Sequence, residues 1–334
     1  MNDIVYITDQ GYFMPTLVSI QSLSKSVKGP QVYHVYCLCD ELPEEQKQML
    51  KAQETSFVQI ILLDCNEVST RRSLNALKKH YYCSATPIAL LKFDLADIFS
   101  DKDRILYLDG DTIIKGSIDP VFAVDLQDSY AAVVLDSRSL IEAEFFNSGV
   151  MLLNLAKIRA EGLSDVLYKE KFASADTSLM DQNTFNEVFN GKITLLPIKY
   201  NYVQASVFRL KYFRGVTLEK VNETYNTAYQ TWDAIWDDAC IIHFATKDKP
   251  WRFEDTFGAD LWDHFYSITP LSVRQLKRKK VNYPFFFKLA ECRAFRMFAI
   301  LLWDCRVLGT YRALRHALKK FLKSIHRLLT GHKS

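Results

Sequence analysis

With 334 residues, 49% of them apolar and 24% charged, the chain can bury a large core in one domain or two, and its composition excludes a disordered polymer. The net charge of +3 hides an asymmetry. From Leu271 onward there are 16 Lys and Arg against 2 Asp and Glu, which leaves 26 basic and 37 acidic residues before that point, so a boundary is expected near 270 between a body (1–270) and a basic tail (271–334).

The opening "MNDIVYITDQ" has no basic n-region and no long apolar h-region, so no secretory signal is expected. Residues 3 to 8 read as a first strand, and helical spacing in "TLVSIQSLSKS" follows the loop "TDQGYFMP". "VYHVYCLC" is a second strand, "PEEQKQMLKAQE" a helix and "VQIILLD" a third strand. Alternating β and α elements predict an α/β fold with a mostly parallel central sheet, which binds ligands beyond the C-terminal ends of its strands. Asp9 and the pair Asp109/Asp111 fall at such ends. Further on, "YAAVVLD" and "FFNSGVMLLNL" are strand candidates, "SLMDQNTFNEVFNG" is helical, and "ITLLPIKYNY" and "ACIIHFATKDKPW" close the body. The seven cysteines are odd in number and scattered, which suits a reduced setting, and strand character in "VYHVYCLCD" argues against Cys37 and Cys39 as a metal pair. Near the C-terminus the longest apolar run, Met297 to Trp303, is far short of the roughly 20 residues that span a bilayer, so no transmembrane helix is expected.

The chemistry-bearing stretch is "RILYLDGDTIIKG". In an extended chain the side chains of Asp109 and Asp111 share one side, and two carboxylates in one space repel unless a cation lies between them. Gly110 lets a bulky ligand approach the backbone. Three readings compete: a nucleotide-sugar metal site, a haloacid-dehalogenase-like phosphatase in which the first Asp attacks phosphorus and the second moves a proton, and a plain turn of solvated acids. The phosphatase pattern usually opens its domain and needs an acidic pair after a later strand, whereas Asp237 and Asp238 precede "ACII" here.

Six blocks, "YITDQGYFMPTLVSIQSL", "ILYLDGDTII", "FFNSGVMLLNLAKIR", "MDQNTFNEVF", "LPIKYNY" and "IIHFATKDKPW", occur in the order and spacing of one family. Over residues 3 to 255 the chain resembles glycosyltransferase family 8, metal-dependent retaining enzymes that include bacterial lipopolysaccharide galactosyl- and glucosyltransferases and glycogenin. The resemblance implies a GT-A type fold with one nucleotide-sugar-binding domain. It implies that Asp109, Asp111 and His243 bind Mn²⁺, or Mg²⁺ in its place. Donor contacts are implied for Asp9, Tyr12, Lys92, Asp109, Asn147, Asp181, Gln182, Thr246 and Lys249. Asp181, Gln182 and Lys249 would stand at the reaction centre. The sequence departs from the family at Thr246 and Gly11, where many relatives carry Gly and some carry Asn, and at Lys92, where bacterial relatives usually carry Arg. A hexose from a UDP-hexose donor would pass to a saccharide acceptor. Retention then needs a covalent intermediate or same-face attack. The amide oxygen of Gln182 carries no full charge, so same-face substitution is the preferred reading. The alternatives are a haloacid-dehalogenase-like phosphatase using Asp109 and Asp111 and a sugar-binding membrane module without catalysis.

In the tail, "YRALRHALKKFLKSIHRLL" sets Leu314, Leu318, Phe321, Leu322, Ile325 and Leu329 on one helical face, with Arg312, Arg315, Lys319, Lys320, Lys323 and Arg327 largely elsewhere. A basic amphipathic helix of this kind suits an anionic membrane surface. No recognition fold for nucleic acid is evident. The expectation is a cytoplasmic enzyme, peripheral at the inner face of the cytoplasmic membrane, acting on a lipid-linked acceptor.

Overall fold

The computed structural model describes residues 2–68, 87–136, 145–173, 181–203, 216–245 and 248–280. Seven strands form the central sheet in the order β3-β2-β1-β4-β7-β6-β8. They are β1 (Asn2–Thr8), β2 (Tyr33–Cys39), β3 (Val58–Asp64), β4 (Arg104–Leu108), β6 (Ala131–Leu135), β7 (Phe146–Asn154) and β8 (Ile193–Leu195). β3, β2, β1 and β4 run parallel, and β6 runs parallel to β8. β7 is antiparallel to both β4 and β6, so the sheet is mostly parallel with one reversed strand. A second sheet, β5-β10-β9, joins β5 (Thr112–Ile114), β10 (Ile241–His243) and β9 (Tyr202–Val203).

Both faces of the large sheet are covered, which is why its strands read as continuous apolar runs rather than as apolar-polar alternation. Successive residues still go to opposite sides. Ile4, Tyr6, Leu106, Leu108, Val150 and Leu152 join one core with Leu17, Ile20 and Trp262. Val5, Ile105, Tyr107, Met151 and Leu153 join the other with Leu91, Phe93 and Phe185. The helix Phe13–Ser26 begins three residues earlier than its helical spacing predicts. Its serines face protein instead of water. Ser19 bonds Tyr6 Oη (3.0 Å) and Thr112 Oγ1 (2.9 Å), Ser22 Oγ accepts from Ile114 N (2.8 Å), and Ser26 Oγ donates to Ile114 O (2.8 Å). Small hydroxyl side chains therefore let this helix lie directly on β5 and satisfy its backbone. Cys37 and Cys39 lie buried in β2, where burial pushes the Cys39 thiol up to about 12 and raises that of Cys37 as well.

Residues 271–280 lie against the body. Leu271 is buried, Tyr266 Oη donates to Leu271 O (2.7 Å) and Arg274 O (2.9 Å), and Arg278 grips Asp263 with two parallel bonds of 2.7 and 3.0 Å. Lys279 adds a bridge to Phe253. The amphipathic stretch of the tail, in 281–334, lies outside the described residues. Among the described residues no helix is long and apolar enough to cross a membrane.

Gly110 is where helix and site meet: a methyl group there would sit 2.2 Å from Thr16 Oγ1 and 3.2 Å from Thr16 Cβ. Turning the hydroxyl away cannot clear both atoms. Gly110→Ala is expected to cost about 1–3 kcal/mol, the usual range for overpacking, seen as a lower urea midpoint at unchanged slope. A wild-type midpoint would contradict the close approach.

Candidate functional site

The backbone passes from the large sheet to the small one at Asp109-Gly110-Asp111. Asp109 N–H extends the β4-β7 ladder by donating to Gly149 O (2.8 Å), Thr112 Oγ1 donates back to Asp109 O (2.9 Å), and Phe244 N–H donates to Asp111 O (3.0 Å). Asp109 and Asp111 therefore do not share one side of an extended strand, as their spacing predicts. A turn brings them together, because β4 ends at Leu108 and the chain must change sheets before β5. Register supplies the third group: His243, at the end of β10, pairs with Thr112.

Each of these three side chains has one polar atom tied and one left over. Asp109 Oδ1 accepts from Tyr107 Oη (2.6 Å) and pairs with Lys92 Nζ (3.1 Å), which leaves Oδ2. Asp111 Oδ2 takes the Lys249 ammonium, and its buried Oδ1 receives no hydrogen bond. His243 Nδ1 meets Asn201 Oδ1 at 3.0 Å, which leaves Nε2 3.1 Å from Asp111 Oδ1 and 3.6 Å from Asp109 Oδ2. An oxygen cannot donate to that imidazole, so Nδ1 carries the proton and Nε2 presents a lone pair. The ligand atoms lie within 4.8 Å of one another, and this is the one group of three or more His, Cys, Asp and Glu side chains so arranged among the described residues. Facing acceptors with a buried orphan oxygen fit a divalent cation, and two carboxylates with one imidazole suit a hard metal.

Two lysines lie against the carboxylates. Burial pushes the Asp111 carboxyl up, but the Lys249 ammonium outweighs it and holds the group well below the usual carboxylate range. Burial would also strip the proton from Lys92, yet Asp109 and Asp181 overcome it and raise that ammonium above its ordinary value. Lys92 pairs with Asp181 Oδ2 at 2.8 Å, an atom that also accepts from Ser148 Oγ (2.8 Å). Asp181 is thereby fastened to Asp109 through one lysine. Asn147 Nδ2 donates to Gln182 Oε1 (3.1 Å), so Asn147, Asp181 and Gln182, predicted as sugar contacts, do meet. On the other flank, Lys249 Nζ donates to Phe244 O (2.6 Å) and lies over the rings of Tyr12 (6.0 Å) and Trp251 (5.7 Å). Asp9 Oδ1 accepts from Tyr12 N (2.8 Å) and so shapes the loop that presents Tyr12. Thr246 lies outside the described residues.

Sequence reasoning missed Asn201, Tyr107, Gly149 and Trp251. Asn201 stands inside the quoted block "LPIKYNY" as an amide in an apolar run, a visible signal with no spacing rule to interpret it. Gly149 is explained only by distance: a Cβ there would sit 2.2 Å from His243 Cε1 and 2.6 Å from Asp109 Oδ2.

Residues 3–255 match the sequence profile described as Glycosyl transferase family 8. The chain is 27% identical over 288 residues to a lipopolysaccharide 1,2-glucosyltransferase of Escherichia coli, covering 78% of this chain and 77% of that protein. It is 24% identical over 305 residues to a lipopolysaccharide 1,3-galactosyltransferase of Salmonella typhimurium, covering 82% and 83%. Among solved structures, the galactosyltransferase LgtC in complex with donor and acceptor sugar analogs superposes with a TM-score of 0.62 at 19% identity, over 80% of this chain and 96% of that one. The apo bifunctional glycosyltransferase WbbM gives 0.68 at 17% identity, over 81% and 50%. The fold is the GT-A type of these neighbours.

Gly149→Ala is expected to weaken divalent-cation binding by on the order of tenfold or more, because its methyl group displaces two ligands at once. Titration calorimetry with Mn²⁺ reads this, and wild-type affinity would contradict the crowding of Gly149, His243 and Asp109.

Proposed function

The chain belongs to glycosyl transferase family 8, and from that membership we propose that it moves a hexose, glucose or galactose, from a UDP-sugar to a saccharide acceptor with retention at the anomeric carbon and with the aid of Mn²⁺ or Mg²⁺. The observation that carries the reading is the convergence of Asp109 Oδ2, Asp111 Oδ1 and His243 Nε2, three bare acceptors in a chain matched to this family over residues 3–255. The relatives named for lipopolysaccharide glucosyl and galactosyl transfer support hexose donors and a surface-glycan acceptor.

A cation held by Asp109, Asp111 and His243 would supply positive charge to the donor diphosphate as it departs. The chain's own residues do the rest. Lys249 is buried beside Asp111 with its ammonium in reach of Tyr12 and Trp251, so it is placed to add a second positive charge where the diphosphate leaves. Tyr12 offers a ring to the base, and Asp9 holds its loop. Asp181 is neutralised by Lys92 and Ser148 and so is a poor nucleophile; it serves to hold Lys92. Gln182 offers an amide without full charge to the sugar. These roles favour same-face substitution, with the departing phosphate oxygen taking the acceptor's proton.

The same proposal places the enzyme in the cytoplasm, peripheral at the inner face of the cytoplasmic membrane, where the basic tail meets anionic lipid and the acceptor is lipid-linked. The charge excess after Leu271 and the amphipathic spacing after Tyr311 support it.

The test of the reaction is UDP release from UDP-glucose and UDP-galactose with Mn²⁺. Wild type should release UDP with one of them, and Asp111→Asn, which removes an anionic ligand and little volume, should lower turnover by on the order of a hundredfold while the fold survives. Release by the variant at the wild-type rate would overturn the role of Asp111. No release by wild type with any UDP-hexose in the presence of an acceptor glycan would favour a sugar-binding module.

The tail has its own test. Because residues 271–280 are pinned to the body, the cut belongs after Lys280. The shortened protein should stay folded and bind UDP-sugar but no longer sediment with anionic vesicles, and full-length binding should weaken with salt, since each basic residue near the surface contributes about 1 kcal/mol. Equal sedimentation of both proteins would reject membrane docking.

A further inference from the structure

Asn201 lies between the 3₁₀ turn Ile198–Tyr200 and β9, is 2% exposed, and uses both ends of its amide. Nδ2 donates to Asn147 Oδ1 at 2.9 Å, and Oδ1 faces His243 Nδ1 at 3.0 Å. The polarity of the whole chain of amides follows from one backbone group. Gly149 N–H lies 3.1 Å from Asn147 and can only donate, so the Asn147 atom it meets is the oxygen. That same oxygen faces Asn201, which must therefore present its NH₂ there and its carbonyl to His243. His243 in turn carries its proton on Nδ1. At the other end Asn147 presents its NH₂ to Gln182 Oε1 at 3.1 Å, which leaves the NH₂ of Gln182 as the group it offers outward.

We propose that Asn201 is a positioning residue that sets both ends of this amide chain, fixing the His243 tautomer that leaves Nε2 bare and, through Asn147, fixing Gln182 as a hydrogen-bond donor. Its bearing on catalysis rests on the metal-dependent transfer proposed above; its bearing on the tautomer does not. Among the described residues Asn201 is the side chain that makes both contacts, its NH₂ donating to Asn147 and its carbonyl accepting from His243. An aspartate at 201 keeps the acceptor for His243 but cannot donate to Asn147. Asn147 would then turn its own NH₂ toward the new carboxylate, lose Gly149 N–H, and present oxygen to Gln182, whose NH₂ would turn inward.

The two halves separate by experiment. Long-range ¹H–¹⁵N correlation spectra of the metal-free protein report which His243 nitrogen is protonated. Wild type and Asn201→Asp should both show the proton on Nδ1, and Asn201→Ala should show it on Nε2 or shared. Titrated with Mn²⁺, Asn201→Ala should lose on the order of 10- to 100-fold in affinity, as when a hydrogen-bond partner of a metal-bound histidine is removed. Asn201→Asp should keep wild-type affinity within about threefold but lose kcat by on the order of tenfold or more at unchanged KM for the donor, a split that simple destabilisation would not give. A wild-type proton on Nε2 overturns the inference whatever the metal does, and so does Asn201→Asp with full turnover. If Asn201→Ala does not fold, wild type and Asn201→Asp decide the matter alone. A wild type with Nδ1–H that takes up no Mn²⁺ supports the tautomer assignment and instead refutes the metal reading.

Discussion

Three atoms, Asp109 Oδ2, Asp111 Oδ1 and His243 Nε2, face one another, and with the His243 proton on Nδ1 all three are acceptors. Repulsion between such atoms grows as water is excluded, and Asp111 and His243 are almost fully buried. The cluster persists because the second polar atom of each side chain has its own partner: Tyr107 and Lys92 donate to Asp109, Lys249 donates to Asp111, and Asn201 Oδ1 accepts from His243 Nδ1. Each partner occupies the back of its side chain and leaves the front atom facing the cluster. The surrounding structure can be understood as what is needed to keep those partners in place.

The scaffold does this by joining two sheets at one turn. β4 belongs to the large sheet and β5 to the small one, so Asp109 and Asp111 are fixed by different hydrogen-bond ladders. β10 then returns His243 to the same point through its register with β5. The reversed strand β7 passes behind the site and contributes Asn147, Ser148 and Gly149 in succession. The serine-rich face of the helix Phe13–Ser26 locks β5 from the other side, and Gly110 lets that helix come close. Lys92 links the Asp109, Asp111 and His243 cluster to Asp181, and Asn201 and Asn147 link it to Gln182 through short polar contacts.

Much of this was legible in the residues. The first three strands fall where their apolar runs begin and end, and Asp109, Asp111 and His243 do converge. The route to convergence was not legible. Period-two reasoning put the two carboxylates on one side of a strand, whereas a turn and a change of sheet bring them together. Nothing in "FFNSGVMLLNL" says that β7 runs backwards, because a strand buried on both faces has the same composition in either direction. Asn201 escaped for a different reason. Its value lies in the direction of an amide, set by a backbone N–H 52 positions earlier in sequence, and no local pattern encodes that. Gly149 lies in the strand candidate "FFNSGVMLLNL", where nothing local shows that His243 and Asp109 crowd its α-carbon.

The central claim, that His243 Nε2 and the two carboxylates form one cation site, is tested most directly by pulsed electron paramagnetic resonance of Mn²⁺ bound to protein labelled with ¹⁵N-histidine. The expected result is hyperfine coupling to a single ¹⁵N nucleus in wild type, lost in His243→Gln. Mn²⁺ bound tightly with no ¹⁵N coupling, or with coupling that survives removal of His243, would contradict it.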